Sequence, residues 1–188
     1  MRALLLVTLT FLAACAVREQ VDFVEGPAPG TIQRSVLVGT TRGPDPNQAV
    51  PGWDRALDVT YGHYVVSIPP ERERGAIPRQ RPRQAADPLR HFMLASGTPE
   101  SSEAFTAELR RELAAQQSGQ NEAVIFVHGF NTTFIEGVYR TAQLDYDLNI
   151  PGVMLHYSWP SLGAPLAYAH DRDSALFARD GLIDMLHQ

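Results

Sequence analysis

The residues best suited to chemistry are His128, Gly129 and Phe130, which follow the apolar run 123–127 directly. A strand that ends in a sharp Gly turn presents backbone N–H groups outward, and such groups stabilise the oxyanion formed when a carbonyl is attacked. The expected donor of this oxyanion turn is the Phe130 amide, with Asn131 lining the site beside it. Ser158, Trp159 and Ser161 come from the end of the following apolar run and are expected to line the same place. Acyl transfer also needs a nucleophile, and its strained elbow requires a small residue two positions before and two after the Ser. Trp159 stands two before Ser161, and G-x-S-x-G occurs nowhere in the chain. Ser161, Asp173 or Asp180, and His187 follow one another in the order nucleophile, acid, base. They are too close in sequence to be gathered from the ends of several strands. No catalytic residue is identifiable among the 188 residues.

Other chemistries find less support. The 6 His are scattered, with no H-x-x-x-H or H-x-x-E-H spacing, so no metal is expected. Neither G-x-G-x-x-G after a strand nor a P-loop is present, so no cofactor is expected. His128, at the end of a strand, is expected to hold the turn by hydrogen bonds rather than to act as a base.

The elements that must position these groups can be read from periodicity. Residues 123–127 are five consecutive apolar positions, three of them β-branched, which predicts a strand buried on both faces of a parallel sheet. Thr133 and Glu136 form a capping box that opens a helix to about Leu148, with Ile135, Val138, Ala142 and Leu148 on its apolar face and Asn149-Ile150-Pro151-Gly152 stopping it. The next strand is 153–159, which completes a βαβ unit. Upstream, strands are expected at 33–42 and 59–68, forming an antiparallel edge, and at 89–94. Ser101 or Ser102 should cap a helix whose apolar positions are Phe105, Leu109 and Leu113. Residues 71–90, with six Arg, read as a long solvated loop, and 164–173 as another. Asp173 should cap a last amphipathic helix over 174–186.

At the other end, a short positive start, the apolar run 3–14 and Leu12-Ala13-Ala14-Cys15 form a lipobox-like signal. Residues 1–14 are expected to be removed as a signal peptide, and Cys15 to carry the lipid. Acyl chains on Cys15 would anchor the protein to the bilayer, and Ala16 in place of Asp points to the outer membrane of a bacterial envelope, facing the periplasm. Residues 15–31, with Gly26-Pro27-Ala28-Pro29-Gly30, form a flexible tether. All 16 basic residues are Arg, and the net charge of −5 argues against nucleic acid as a partner.

Thr40-Thr41-Arg42, Tyr61-Gly62 with Val66-Ser67-Ile68-Pro69, the block 124–133, Tyr157-Ser158-Trp159-Pro160-Ser161, and Asp171-Arg172-Asp173-Ser174-Ala175 together resemble a bacterial branch of α/β-hydrolases of uncharacterised function, of lipoprotein type. The resemblance implies an α/β fold, a mostly parallel sheet with flanking helices, occupying residues 32–188 and incomplete at its C-terminus. It implies hydrolysis of a small ester or amide by a Ser-His-acid mechanism whose nucleophile follows the last helix and is expected beyond Gln188. The alternative is an envelope lipoprotein that uses this scaffold for binding or structure, without catalysis.

Overall fold

The computed structural model describes residues 21, 23, 24, 28–81, 84–119 and 121–188. The expected signal peptide 1–14 and the lipidation residue Cys15 lie outside them. The chain first forms an antiparallel hairpin of β1 (Ile32–Pro44) and β2 (Pro51–Ile68), closed by a turn in which Asp45 accepts from the Asn47 N–H at 2.8 Å. β2 begins well before the β-branched run predicted at 59–68, because the pairs Arg42↔Arg55 and Pro44↔Pro51 carry the ladder through residues with little strand preference. β3 (Met93–Glu100) pairs antiparallel with β2. Its predicted position, 89–94, is four residues early at the start: Leu89 is exposed, whereas Phe92, Met93 and Leu94 are the apolar residues that reach the core.

β4 (Ala123–Val127) and β5 (Val153–Ser158) run parallel, and β5 inserts between β4 and β1, giving the order β3-β2-β1-β5-β4. The sheet is therefore mixed, parallel across β1, β5 and β4 and antiparallel across β1, β2 and β3. The fully buried strand is β5. β4, expected to be covered on both faces, stands at the sheet edge with its end residues exposed and its middle half-buried, since β5 is its only partner among the described residues.

Alternation along the strands sends successive side chains to opposite faces and builds two cores. On one face, Val36, Val38, Val66 and Ile68 pack under Phe134, Ile135, Val138 and Ala142 of α2 (Phe134–Leu148). On the other, Leu37, Tyr61, Leu155 and Tyr157 pack against Phe105 of α1 (Ser102–Ala115) and Met185 of α4 (Arg179–Leu186). Each fully buried side chain of this size contributes roughly 1.5–3 kcal/mol, which is why helix placement follows the apolar stripes. α1 starts at Ser101, whose side chain accepts from the Ala104 N–H. α2 has the predicted capping box, and Asn149 closes it in the left-handed conformation. Leu148, assigned to the apolar face, is exposed in the last turn of the helix.

The last helical region differs most from expectation. α3 (Tyr168–Phe177) begins inside the predicted loop, Ala167 precedes it with no side-chain cap, and Asp173 lies within the helix rather than capping it. The break between α3 and α4 falls at Ala178, whose carbonyl accepts from the buried Tyr157 hydroxyl. Residues 71–81 form no regular element, yet they are fastened to α2. Asp147 accepts from Arg72, from the Gly75 N–H at 2.7 Å and from Gln143 at 2.6 Å. Arg72 and Asp147 are both almost fully buried, so this part of the Arg-rich segment is a packed strap.

Candidate active site

The carboxyl ends of β4 and β5 lie side by side because their parallel register pairs Val127 with Tyr157. The residues that follow each strand, 128–133 and 159–163, therefore meet, bringing together the residues read from the sequence as oxyanion turn and lining. His128 and Trp159 hold one another reciprocally. The Trp159 N–H donates to His128 Nε2 at 3.1 Å, and the indole N–H donates to the His128 carbonyl at 2.8 Å. Their rings stack at 4.7 Å between centroids, 18° from parallel. Nδ1 lies 2.8 Å from the Gly129 carbonyl and Nε2 3.0 Å from the Trp159 carbonyl, so whichever nitrogen carries the proton has a backbone acceptor. Burial, with the Arg42 charge adding to it, pushes this imidazole down to about 4, so it is neutral at pH 7. It is a brace for the turn.

The amides of the turn are not used equally. Asn131 N–H donates to Asp171 at 3.1 Å, Thr132 N–H to Ser161 Oγ at 3.1 Å, and Thr133 N–H to Glu136 at 3.0 Å. The Gly129 and Phe130 N–H groups have no acceptor among the described residues, and both residues are solvent-exposed. Asn131 holds φ at 56°, a left-handed conformation that Asn tolerates better than most residues and that turns the chain after Phe130. Two adjacent free amides at the end of a strand can donate to an oxyanion or a carboxylate.

Two buried charges support this turn, and neither was singled out as a site residue from sequence. Arg42, at the end of β1, is 1% exposed and donates to Ser158 Oγ at 2.9 Å, to Gly52 O at 3.1 Å, to Ser161 O at 2.9 Å and to Thr132 O at 2.9 Å. Asp171, at the start of α3, is also 1% exposed and accepts from Ser161 Oγ at 2.6 Å and Leu162 N–H at 2.9 Å besides the Asn131 amide. Burial alone would raise the Asp171 pKa, but hydrogen bonds from Ser161, Leu162, Asn131 and His170 outweigh it and hold the carboxyl below the usual range. Both residues stand in the motifs Thr40-Thr41-Arg42 and Asp171-Arg172-Asp173. The signal was present, but partners 119 and 10 positions away in sequence are invisible until the fold joins them.

This geometry places Ser158 and Ser161 as structural hydroxyls. Ser158 is fully buried with Arg42 donating to it, and Ser161 spends its proton on Asp171. The acid beside Ser161 is thus Asp171, while Asp173 pairs with Arg172 in solvent. Concave surfaces flank the turn. One, of about 520 Å³, is lined mainly by Phe130, Trp159, Tyr168 and Leu176; the other, of about 400 Å³, includes Arg79, Phe126, His128, Asn131 and Arg140. No grouping of His and carboxylates that could hold a metal occurs at this turn among the described residues.

Residues 101–188 match the family described as alpha/beta hydrolase of unknown function (DUF900), which covers β4, α2, β5 and the whole of the turn. No curated protein and no solved structure matches the chain. The mixed five-stranded sheet with flanking helices agrees with an alpha/beta-hydrolase scaffold.

Proposed function

We propose that this chain supplies the oxyanion turn and part of the substrate-binding surface of a Ser-His-acid hydrolase acting on an ester or amide. In this reading the nucleophile comes from sequence outside residues 1–188 and sits beside the open edge of β4. Acylated Cys15 holds the protein at the outer membrane of a bacterial envelope. The observation that carries the reading is the pair of unengaged amides at Gly129 and Phe130, set in a turn whose next three amides are all occupied. Removing one oxyanion donor costs about 10²–10³ in kcat in enzymes of this type. The apolar concavity beside Phe130 suits the hydrocarbon part of an ester better than a charged group.

The test uses the gene that encodes residues 1–188. Its full product should be labelled by a fluorophosphonate at a Ser outside this chain, and Phe130→Pro should depress kcat far more than KM. Residues 16–188 alone should be inert toward short acyl esters and unlabelled, and stoichiometric labelling of Ser158 or Ser161 would overturn the reading. The anchor is tested separately: Cys15→Ser should move the protein out of the carbonate-washed membrane fraction. A second reading, a scaffold without catalysis, is favoured by the fact that both site serines are already engaged in hydrogen bonds. It prevails if the longer product carries no fluorophosphonate-reactive Ser.

A further inference from the structure

On the face of the sheet covered by α1, at the opposite end of β1 from the turn, a second cluster of chemically active side chains has no part in the proposed hydrolysis. Glu108 and Glu112 are one helical turn apart, which puts both on the side of α1 that faces the sheet, where each side chain is 19% exposed. His63 of β2 rises between them at 24% side-chain exposure. The three offer ligand atoms that all lie within 4.8 Å of one another.

The hydrogen bonds fix which atom His63 presents. The Ser35 hydroxyl donates its one proton to Glu112 Oε1 at 2.7 Å, so at 2.8 Å from His63 Nε2 it must accept, and Nε2 carries the imidazole proton. His63 Nδ1 then faces Glu108 Oε1, 3.9 Å away. That gap is too long for a hydrogen bond. It matches two ligands on one ion, since metal–nitrogen and metal–oxygen bonds of about 2 Å separate their ligand atoms by about 3–4 Å.

An independent observation comes from Glu100 at the end of β3, opposite Tyr61 in the ladder and so on the same face as His63. Its Oε2 is shut off from solvent and has no hydrogen-bond partner. A shielded carboxylate oxygen without a donor, on the same face of the sheet as His63, is a further atom that could ligate a cation.

We infer that His63, Glu108 and Glu112, with Glu100 behind them, form a binding site for a divalent transition-metal ion that clamps α1 to β2 and β3. An imidazole with carboxylates favours Zn²⁺ or Mn²⁺ over Mg²⁺, which rarely takes nitrogen. Arg111 pairs with both oxygens of Glu108, and its exposed side chain must swing out when the ion enters.

The experiment is calorimetric titration of the purified full chain with ZnCl₂ at pH 7, with MgCl₂ as control. One Zn²⁺ per chain is expected, with affinity lowered at least tenfold in His63→Ala and Glu112→Gln, unchanged in His187→Ala and raised in Arg111→Ala. Glu112→Gln keeps the shape and the acceptor for Ser35, so it decides the matter should His63→Ala fail to fold. Absence of Zn²⁺ binding, equal binding by wild type and Glu112→Gln, or Mg²⁺ binding as tightly as Zn²⁺ would each overturn the site and leave an ion-pair cluster only.

Discussion

At the residue scale the turn depends on Arg42, whose guanidinium ties the β1 to β2 hairpin through Gly52, the turn after β4 through Thr132, and the loop after β5 through Ser161. A Lys in its place would offer a point charge without the planar fork that reaches three separate carbonyls. Arg42→Lys is therefore expected to lower stability by about 2–3 kcal/mol, read as a lower Tm and a lower urea midpoint. Asp171 makes the complementary prediction. Asp171→Asn keeps an acceptor oxygen but directs an NH₂ group at a donor, the Asn131 amide, the Ser161 hydroxyl or the Leu162 amide. Faster amide exchange at Asn131 and Thr132 should follow.

The two buried imidazoles set a pH dependence. His128 is held down to about 4 and His156 to about 3, each mainly by burial. Both lie below the unfolded value of about 6.5, so above that pH neither form binds the proton and stability is unaffected. As pH falls below about 6.5 the unfolded chain takes up protons that the folded chain refuses, and each His removes up to about 1.4 kcal/mol per pH unit. Urea midpoints should decline steeply from pH 6.5 to pH 4, and a His128→Gln variant should lose part of that slope. A midpoint flat over this range would show that the two rings are solvated.

At the element scale the βαβ unit is the part most legible in the sequence. A strand's apolar run, a capping box and an αL cap are each encoded within a few neighbouring residues, so 123–158 could be read almost position by position. The burial of β4 could not be read this way, because whether a strand is central or at an edge depends on what pairs beside it. The α3 start was missed for a related reason: Asp171 is fixed by the Asn131 and Leu162 amides from outside its helix, and local capping signals carry no trace of that. Contacts between elements explain one glycine as well. A Cβ on Gly137 of α2 would stand 2.3 Å from His156 Nε2, a buried ring atom with no hydrogen-bond partner. Gly137→Ala would ordinarily favour a helix by about 1 kcal/mol, but here it should destabilise by about 1–3 kcal/mol through overpacking. Thermal melts of the variant decide the sign.

At the scale of the whole molecule, the described residues leave a strand edge unpaired and apolar helix side chains uncovered. β4 presents an unpaired edge, and on α3 and α4 Leu176 is 66% exposed, Ile183 44% and Leu186 60%. An open strand edge is a template for self-association, and exposed apolar helix residues add to it. Purified residues 21–188 should therefore associate at micromolar concentration, and Val127→Lys, a charge on the exposed end of β4, should reduce this in light scattering. A monodisperse monomer melting cooperatively above about 60 °C would show that this surface needs no cover.

The stack of Trp159 on His128 makes the turn optically addressable. Trp159 is one of only 2 Trp residues, the other being Trp53, so Trp53→Phe leaves a single indole in the chain. That indole is 7% exposed, lies 4.7 Å from an uncharged imidazole and donates its N–H to the His128 carbonyl. Any event that charges the ring or unstacks it changes the indole's surroundings directly, so emission wavelength and intensity would follow the turn itself rather than global unfolding. An anion settling on the Gly129 and Phe130 amides would then announce itself as a spectral shift, in a protein whose substrate need not be known for the measurement to be made.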